Sequence, residues 1–441
     1  MTVPSVETTT QSFITTTIRW GVGCLLGISI LLGVWFLTQW QYVLANENVG
    51  DVAMMYLQNP TSVVNNPTAW LQNSWQVYRQ KFIQHDGRVM DFFTENATTS
   101  EGQSYALLRA VWLNDKATFD TVWAWTQQNI QNRENDVLFS WKWGKDATTG
   151  EWKTLDHTEA SDADQDIALA LLMAHTRWGE ARYKQQALAI LADFWRYNVV
   201  NSKIGPVVLP GGDWYRFETA VPVTVMLNPS YLSPATYRLF GAVDASHPWE
   251  KLATTSYKVL QKSQTLGKTN LPPDWLLFNR ATGEVYLNDE QSERYPTQRS
   301  VFGYDAVRTP WRFMLDVILY PTESRQVGIT GTQSLLKMLP TLEAYILKHG
   351  QLPGPLSTTG VEVEPLKSKA AYGVLYPLFK TYRPALMKQL VMAYDWKQAI
   401  ETDDYYAQNW YWFGLALQTL NKQGYNSAMP PLERLTYFLA P

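Results

Sequence analysis

The sequence predicts an all-α protein built from two layers of helices. Between residues 69 and 420, segments of ten or more residues recur in which apolar side chains lie three or four positions apart. Some segments are apolar nearly all round, as at 167–174, and others have one polar face, as at 119–130. A helix that is apolar all round is buried, whereas one with a polar face lies at the surface. We therefore expect an inner set of helices wrapped by an outer set.

The helical segments follow one another along the chain, with loops between them. They span residues 74–83, 101–112, 119–130, 162–178, 183–198, 248–262, 306–320, 331–348, 385–396 and 405–420. Pro- and Gly-rich stretches at 205–213 and 271–275 predict long loops, and residues 278–287 predict a small β-hairpin. The chain has 441 residues, of which 46% are hydrophobic and 17% charged, so it can bury a full-sized core.

The N-terminal segment is predicted to enter a membrane. Residues 21–39 carry no charge and are long enough to cross a bilayer as a helix of ~20 residues. Arg19 precedes this run and Glu47 follows it, which favours a cytoplasmic N-terminus and an exported main domain. The alternative is a signal peptide cleaved after Ala45, but the run exceeds the ~7 to 15 residues of a usual signal core, so we favour an anchor. A buried helix of the main domain is a third interpretation.

Three regions follow from this interpretation. Residues 1–45 form a cytoplasmic tail with a transmembrane anchor or signal segment, residues 46–68 form a linker, and residues 69–441 form the main domain. The linker assignment rests on its Asn-Pro steps and small polar residues, which are typical of a tether. An anchor places the main domain in the periplasm or outside the cell, and cleavage near Ala45 makes it a secreted protein.

Composition excludes several classes of function. The formal net charge is −3 and no long Lys or Arg run is present, so the charge pattern of a nucleic-acid binder is missing. The only cysteine, Cys24, lies in the N-terminal apolar run, which leaves the main domain without disulfides or cysteine nucleophiles. The five histidines lack metal-ligand spacing, and phosphate-binding and dinucleotide-binding loops are absent. We therefore expect no metal and no cofactor.

Two helix starts carry carboxylates. Ser100 is predicted to cap a helix with Gln103 at the capping-box position, which places Glu101 on the first turn. Ser161 is the corresponding cap of a second helix, with Asp162 and Asp164 on its first turn. Such acids are commonly ordinary capping residues, because a helix N-terminus favours negative charge. Gly102, however, costs helix stability and makes sense where a ligand must approach the backbone.

These segments resemble a known family. The stretch ASDADQDIALALLMAHTRW at 160–178 closely resembles the signature of glycoside hydrolase family 8, the bacterial cellulase, lichenase, chitosanase and xylanase family. Further blocks similar to the family lie, in the expected order, at 87–112, 138–144, 228–240 and 302–312. The resemblance extends from about residue 75 to the C-terminal helical segment, which is nearly the whole main domain.

The resemblance implies an (α/α)6 toroid that hydrolyses a β-glucan with inversion at the anomeric carbon. By motif position, Glu101 corresponds to the proton donor and Asp305 to the general base. Asp162 corresponds to the aspartate that holds the distorted sugar, and Tyr231 and Arg308 to polar groups that line the same site. An Asp and an Arg three residues apart are otherwise typical of a simple surface ion pair.

Other substrate contacts are predicted beside these groups. Gln103 and Asp164 lie on the same helix turns as the carboxylates and are predicted to contact the sugar. Trp141 and Trp143 lie two residues apart, so on an extended segment they point the same way and are predicted to form a stacking platform. Core packing is the alternative for each ring. Further aromatic candidates are Trp214, Tyr215, Trp275 and Trp311.

The predicted acid presents a difficulty. A helix N-terminus stabilises the charged form of Glu101 and lowers its pKa, which is the wrong direction for a proton donor. We expect like-charge repulsion from Asp162 to raise the pKa of Glu101. Inverting hydrolysis requires the acid and the base to lie about 6.5 to 9.5 Å apart, with water between the base and the sugar.

The leading hypothesis is therefore an endo-β-1,4-glucanase that acts as a monomeric catalytic domain. Chitosan, mixed-linkage β-glucan and xylan are rival substrates within the same family. A catalytically idle glucan-binding component of an export complex is a different class, and a membrane-tethered enzyme that trims nascent cellulose beside a cellulose synthase combines both ideas. A polysaccharide lyase would need a Lys, Tyr or His base beside neutralising cations, and the sequence shows no such cluster.

Overall fold

The computed structural model describes residues 66–215, 221–288, 297–325, 331–364, 369–393, 403–422 and 429–439. Within them the fold is rich in helices, as predicted. The helices are α1 Pro67–Phe82, α2 Ser100–Trp112, α3 Lys116–Asn129, α4 Ser161–Trp178, α5 Ala181–Asn198, α6 Pro234–Gly241, α7 Trp249–Ser263, α8 Thr309–Leu319, α9 Gly331–His349, α10 Lys369–Tyr382, α11 Pro384–Ala393, α12 Tyr405–Lys422 and α13 Pro431–Tyr437.

The even-numbered helices from α2 to α12 form an inner ring. Each inner helix contacts the next inner helix along the chain, and α12 contacts α2, which closes the ring. The odd-numbered helices from α1 to α11 lie outside, each against an inner helix. The prediction of two helical layers is confirmed, because residues 167–174 are fully buried in α4, whereas α3 buries one face and exposes the other.

The backbones of α10 and α12 approach each other closely at two glycines. A Cβ atom added at Gly414 would lie 1.8 Å from the carbonyl oxygen of Gly373, and one added at Gly373 would lie 2.3 Å from the Cα atom of Tyr411. Only glycine permits this backbone contact. Gly373 and Gly414 therefore allow the last two inner helices, α10 and α12, to pack closely.

Helix α13 covers one end of the ring. The indole Nε1 of Trp112, at the end of α2, donates to the carbonyl of Leu435 at 2.7 Å, and the hydroxyl of Tyr437 donates to the carbonyl of Thr176 near the end of α4 at 2.6 Å. The C-terminal ends of these inner helices are therefore closed. Their N-terminal ends lie at the opposite, open end.

Short antiparallel strands surround that open end. They are β1 Thr98–Thr99, β2 Ser140–Lys145, β3 Trp152–Glu159, β4 Val199–Ser202, β5 Gly205–Val208, β6 Thr224–Leu227, β7 Leu276–Asn279, β8 Glu284–Leu287, β9 Val301–Phe302 and β10 Leu356–Ser357. Strands β1 and β3 end directly before α2 and α4, and β9 lies shortly before α8. The predicted hairpin at 278–287 is confirmed as β7 and β8, which turn at Gly283 with a positive φ of 76°.

The predicted anchor or signal segment in residues 1–45 lies outside the described residues. In the part of the chain that the structure describes, no helix is long and apolar enough to span a membrane. Helix α1 begins at Pro67, so the last residues of the predicted 46–68 linker belong to the helical domain, and the earlier ones lie outside the described residues.

Candidate functional site

The side chains predicted to act on the substrate meet at the open end of the ring. Glu101 lies on the first turn of α2 and Asp162 on the first turn of α4. Asp305 and Arg308 belong to a 3-10 turn that leads directly into α8. Because the N-terminal ends of these inner helices share one face of the fold, residues more than 200 positions apart in the chain become neighbours.

Arg308 joins the three carboxyl groups. Its Nη1 donates to Glu101 Oε2 at 2.8 Å and to Asp162 Oδ2 at 3.0 Å, while its Nη2 donates to Asp305 Oδ1 at 2.7 Å. Nη2 also donates to the hydroxyl of Ser230 at 3.0 Å. The Arg308 side chain is 1% exposed, so this is a buried four-membered charge cluster rather than a surface ion pair.

The three carboxyl groups differ in their access to solvent. The side chain of Asp305 is 30% exposed and that of Glu101 is 21% exposed, whereas that of Asp162 is 4% exposed. The amide of Asn228 donates to Asp305 Oδ2 at 2.9 Å, so each oxygen of Asp305 has one fixed donor. Asp305 and Glu101 are thus the two of these carboxyl groups that are more open to solvent.

The pKa of Glu101 is raised to about 7. Burial is the largest cause, and the charges of Asp162 and Asp305 add to it. The guanidinium of Arg308 and a hydrogen bond from the Tyr405 hydroxyl, which donates to Oε1 at 3.0 Å, act in the opposite direction. The expected direction of the shift is therefore correct, but desolvation exceeds the contribution of Asp162 that we predicted to be decisive.

The helix start that carries Glu101 differs in detail from the prediction. The N-cap of α2 is Thr99, whose hydroxyl accepts from the N–H of Gly102 at 3.0 Å, and Ser100 is the first helical residue. The hydroxyl of Tyr405 also lies 3.1 Å from the Thr99 hydroxyl. The Tyr405 hydroxyl therefore contacts both the cap residue Thr99 and the carboxyl group of Glu101, which fixes the Glu101 side chain relative to the helix end.

Gln103 and Asp164 do not face the site, so their predicted substrate contacts are wrong. Both are fully buried. The Gln103 side chain accepts from the N–H of Val89 and donates to Thr126 on α3, and Asp164 accepts from the N–H of Phe139. Side chains two residues apart on a helix point about 200° apart. Because Glu101 and Asp162 face the cleft, Gln103 and Asp164 point away from it.

Trp141 and Trp143 do not form the predicted shared platform. Shifts of register in the β2–β3 pairing on both sides of Lys142 break the regular alternation of side chains. Trp143 stacks on Trp152 with centroids 5.2 Å apart and meets the edge of Trp125, whereas Trp141 hydrogen-bonds to Asp156. The two rings therefore belong to different groups of contacts.

A different set of rings leads away from the carboxyl groups. The Tyr231 ring lies 5.4 Å from the Arg308 guanidinium and 6.1 Å from the ring of Trp275. Trp275 in turn stacks on Trp214, with centroids 5.4 Å apart and 22° between the planes. Trp311 is buried and donates to the carbonyl of Phe413, so it belongs to the core. Tyr231, Trp275 and Trp214 form the aromatic row of the site.

Three residues at this site were absent from the sequence-based predictions. Tyr405 holds Glu101, Asn228 holds Asp305, and Asp274 accepts backbone N–H groups from the turn that carries Asp305. Asn228 directly precedes the Pro-Ser-Tyr turn that contains Tyr231, and Asp274 precedes Trp275, so both were adjacent to predicted residues. Tyr405 carried no local signal, because it is placed only when α12 closes the ring.

Among the described residues, no three His, Cys, Asp or Glu side chains are grouped so that they could hold a metal ion. The positive charge that balances Glu101, Asp162 and Asp305 comes instead from Arg308.

Comparison with known proteins places the chain in a family. The family model described as "Glycosyl hydrolases family 8" matches residues 43–342, which is well over half of the chain. The chain belongs to this family. The matched range includes Glu101, Asp162 and Asp305, and it excludes Tyr405.

Individual relatives agree with this assignment. The chain is 35% identical over 253 residues to an endoglucanase of Xanthomonas axonopodis pv. citri (strain 306), a match that covers 55% of the chain and 60% of that relative. It is similar in structure to an endo-1,4-D-glucanase from Vibrio fischeri ES114, with a TM-score of 0.64, 26% identity and coverage of 78% of the chain and 93% of that structure. A cold-adapted family 8 xylanase shares the fold at 17% identity, with a TM-score of 0.62 and coverage of 83% and 94%.

The raised pKa of Glu101 predicts how stability depends on pH. The folded state holds this proton more tightly than the unfolded chain, so the free energy of unfolding falls as pH rises from 4.5 through about 7. The loss of unfolding free energy attributable to Glu101 is at most about 3 to 4 kcal/mol, since each pKa unit corresponds to about 1.4 kcal/mol. Gln cannot ionise, so Glu101→Gln should lose less stability than the parent chain between pH 5 and pH 8, as measured by urea unfolding.

The difference between the two proteins reports on Glu101 and the groups coupled to it, because other buried carboxyl groups with raised pKa values, such as Glu159 and Asp316, are present in both. Glu284→Gln is the matched control, since the Glu284 side chain is 56% exposed and pairs with Lys262 at the surface. Equal pH dependence in the parent chain and Glu101→Gln would contradict the raised pKa.

Proposed function

We propose that the protein is an inverting endo-β-1,4-glucanase in which Glu101 is the general acid and Asp305 the general base. The observation that carries the proposal is the convergence of Glu101, Asp162 and Asp305 on the single guanidinium of Arg308 at the open end of the ring. Endoglucanase and endo-1,4-glucanase are also the activities named for the relatives described above.

Glu101 is suited to the acid role by its pKa. A pKa of about 7 keeps a large fraction of the carboxyl group protonated near neutral pH, where an ordinary glutamate is ionised. The Tyr405 hydroxyl on Oε1 and Arg308 on Oε2 fix the orientation of the group. Protonation of the leaving glycosidic oxygen then makes Glu101 negative, and Arg308 is in place to stabilise that charge.

Asp305 is suited to the base role by its access. It is the most exposed of the three carboxyl groups, and Arg308 and Asn228 orient its two oxygens without enclosing them. Glu101 contacts Nη1 of the guanidinium and Asp305 contacts Nη2, so Arg308 holds each group by its own nitrogen. Inverting hydrolysis needs about 6.5 to 9.5 Å between the acid and the base, because water must fit between the base and the sugar.

Asp162 and the aromatic row are suited to holding the sugar. The Asp162 carboxyl is almost inaccessible to solvent and lies beside the acid, where it can stabilise positive charge that develops on the sugar ring. Tyr231, Trp275 and Trp214 are partly buried aromatic residues that contact one another in sequence, starting beside Arg308. This row supports a polymeric substrate that spans several sugar positions.

The proposal is tested with a panel of polysaccharides. Full-length chain purified in detergent should release reducing ends from carboxymethyl cellulose faster than from lichenan, chitosan or xylan. Glu101→Gln and Asp305→Asn should each lower kcat by about a thousandfold or more, because each removes a proton-transfer group that the reaction requires.

Glu284→Gln, a surface change of the same kind, should leave kcat unchanged. Activity that survives both active-site substitutions would refute the assignment of acid and base, and a preference for chitosan or xylan would replace the proposed substrate. Binding of cellulose without hydrolysis of any polymer would favour the idle glucan-binding component.

We further propose that the N-terminal segment anchors the enzyme to a membrane, with the catalytic domain in the periplasm or outside the cell. The support is the uncharged run at 21–39, preceded by Arg19 and followed by acidic residues. A monomeric enzyme held there is suited to trimming nascent cellulose beside a cellulose synthase complex, which is the partner we propose.

Cell fractionation and mass spectrometry test the anchor. The full-length chain should sediment with membranes and require detergent for release, and its mass should correspond to an uncleaved N-terminus. A chain that lacks residues 1–45 should remain in the soluble fraction. A soluble protein whose first residue is Asn46 would instead establish the signal peptide with cleavage after Ala45.

A further inference from the structure

The turn that carries Asp305 is held by a carboxyl group from another part of the chain. Oδ1 of Asp274 accepts three backbone N–H groups, those of Gly303 at 3.1 Å, Asp305 at 3.1 Å and Ala306 at 2.6 Å. No other single side-chain oxygen in the described part of this site accepts from three backbone N–H groups. The same turn delivers Arg308 three residues later.

The backbone around Asp274 reinforces this arrangement. The N–H of Asp274 donates to the carbonyl of Val301 at 2.6 Å, which pairs the loop before β7 with β9. A Cβ atom at position 303 would lie 2.3 Å from Asp274 Oδ2, so glycine at this position is what admits the carboxyl group. On the other side of the turn, the Tyr406 hydroxyl donates to the carbonyl of Tyr304 at 2.8 Å.

Asp274 is also the neighbour of Trp275 in the aromatic row. Asp274 therefore holds the turn that carries Asp305, and the next residue, Trp275, offers an aromatic ring for stacking. A sugar that stacked on Trp275 would therefore lie at a position that is fixed relative to Asp305, as the correct aim of an attacking water requires.

We propose that Asp274 is a positioning residue, whose Oδ1 gathers the N–H groups of the turn and thereby holds Asp305 in the geometry that activates water. The inference rests on the proposed function. The proposed role of Asp274 requires an acceptor oxygen at this position and does not require a negative charge. Burial and the charge of Asp305 raise the pKa of Asp274 to about 8, so the neutral amide of Asn resembles the carboxyl group near neutral pH.

Three variants of the full-length chain test the role. Asp274→Asn keeps the acceptor oxygen and should keep kcat within about threefold of the parent. Asp274→Ala leaves three N–H groups without their acceptor, so the turn relaxes and kcat should fall about 10- to 100-fold, while KM changes by less than about twofold. Asp244→Ala is the control, because Asp244 likewise accepts from Ser246 N–H and Trp249 Nε1 in a turn outside the site.

A second substrate separates the base from the acid. Fluoride leaves β-cellobiosyl fluoride without protonation, so its hydrolysis does not need Glu101 but still needs a base for the attacking water. Asp274→Ala and Asp305→Asn should therefore both lose activity on the fluoride, whereas Glu101→Gln should retain it. If Asp274→Ala fails to fold, Gly303→Ala provides the same test, because the added Cβ displaces the Asp274 carboxyl group. Gly303→Ala should then lower kcat on both substrates.

The failure of this inference differs from the failure of the proposed function. If Asp305→Asn loses activity but Asp274→Ala and Gly303→Ala do not, Asp274 has no positioning role. A loss in Asp274→Asn as large as in Asp274→Ala would also overturn the inference, because the acceptor oxygen would not be what matters. Unchanged activity in Asp305→Asn and Glu101→Gln would instead refute the proposed function itself.

Discussion

The site depends on one buried guanidinium shared by three carboxyl groups. Without Arg308, Glu101, Asp162 and Asp305 would place like charges together in a region of low polarity with no cation to balance them. With Arg308 the cluster holds together, yet burial still raises the pKa of Glu101 to about 7. The same cation therefore allows the nearly buried Asp162 to lie beside two more accessible carboxyl groups, those of Glu101 and Asp305.

The fold provides this arrangement through the direction of its inner helices. The open end of the ring gathers the helix starts, and α13 closes the other end around the last turns of α2 and α4. Helix starts favour anions, so they are natural places for Glu101 and Asp162, but they also lower the pKa of an acid. Burial is the largest cause of the raised pKa of Glu101, and this makes a residue at a helix start suited to donating a proton.

Much of this was present in the sequence, and what was missing has physical reasons. The helical periods predicted the two layers, and the resemblance to glycoside hydrolase family 8 predicted Glu101, Asp162, Tyr231, Asp305 and Arg308, which the structure brings together. Gln103 and Asp164 were misassigned although helix geometry alone turns them away from the cleft. Trp141 and Trp143 were misassigned because irregular strand pairing at Lys142 cannot be seen in the sequence. Tyr405 lies about 300 positions from Glu101 and was beyond prediction, because closure of the ring creates that contact.

We propose that Glu101 and Asp305 act from opposite sides of the bond with room for water between the base and the sugar. Proton NMR of a cello-oligosaccharide digest, recorded before the newly formed reducing end mutarotates, tests this arrangement. The α-anomer should appear first, as inversion of a β-linkage requires. A β-anomer as the first product would mean that one carboxyl group attacks the sugar directly, and it would contradict the roles assigned to both residues.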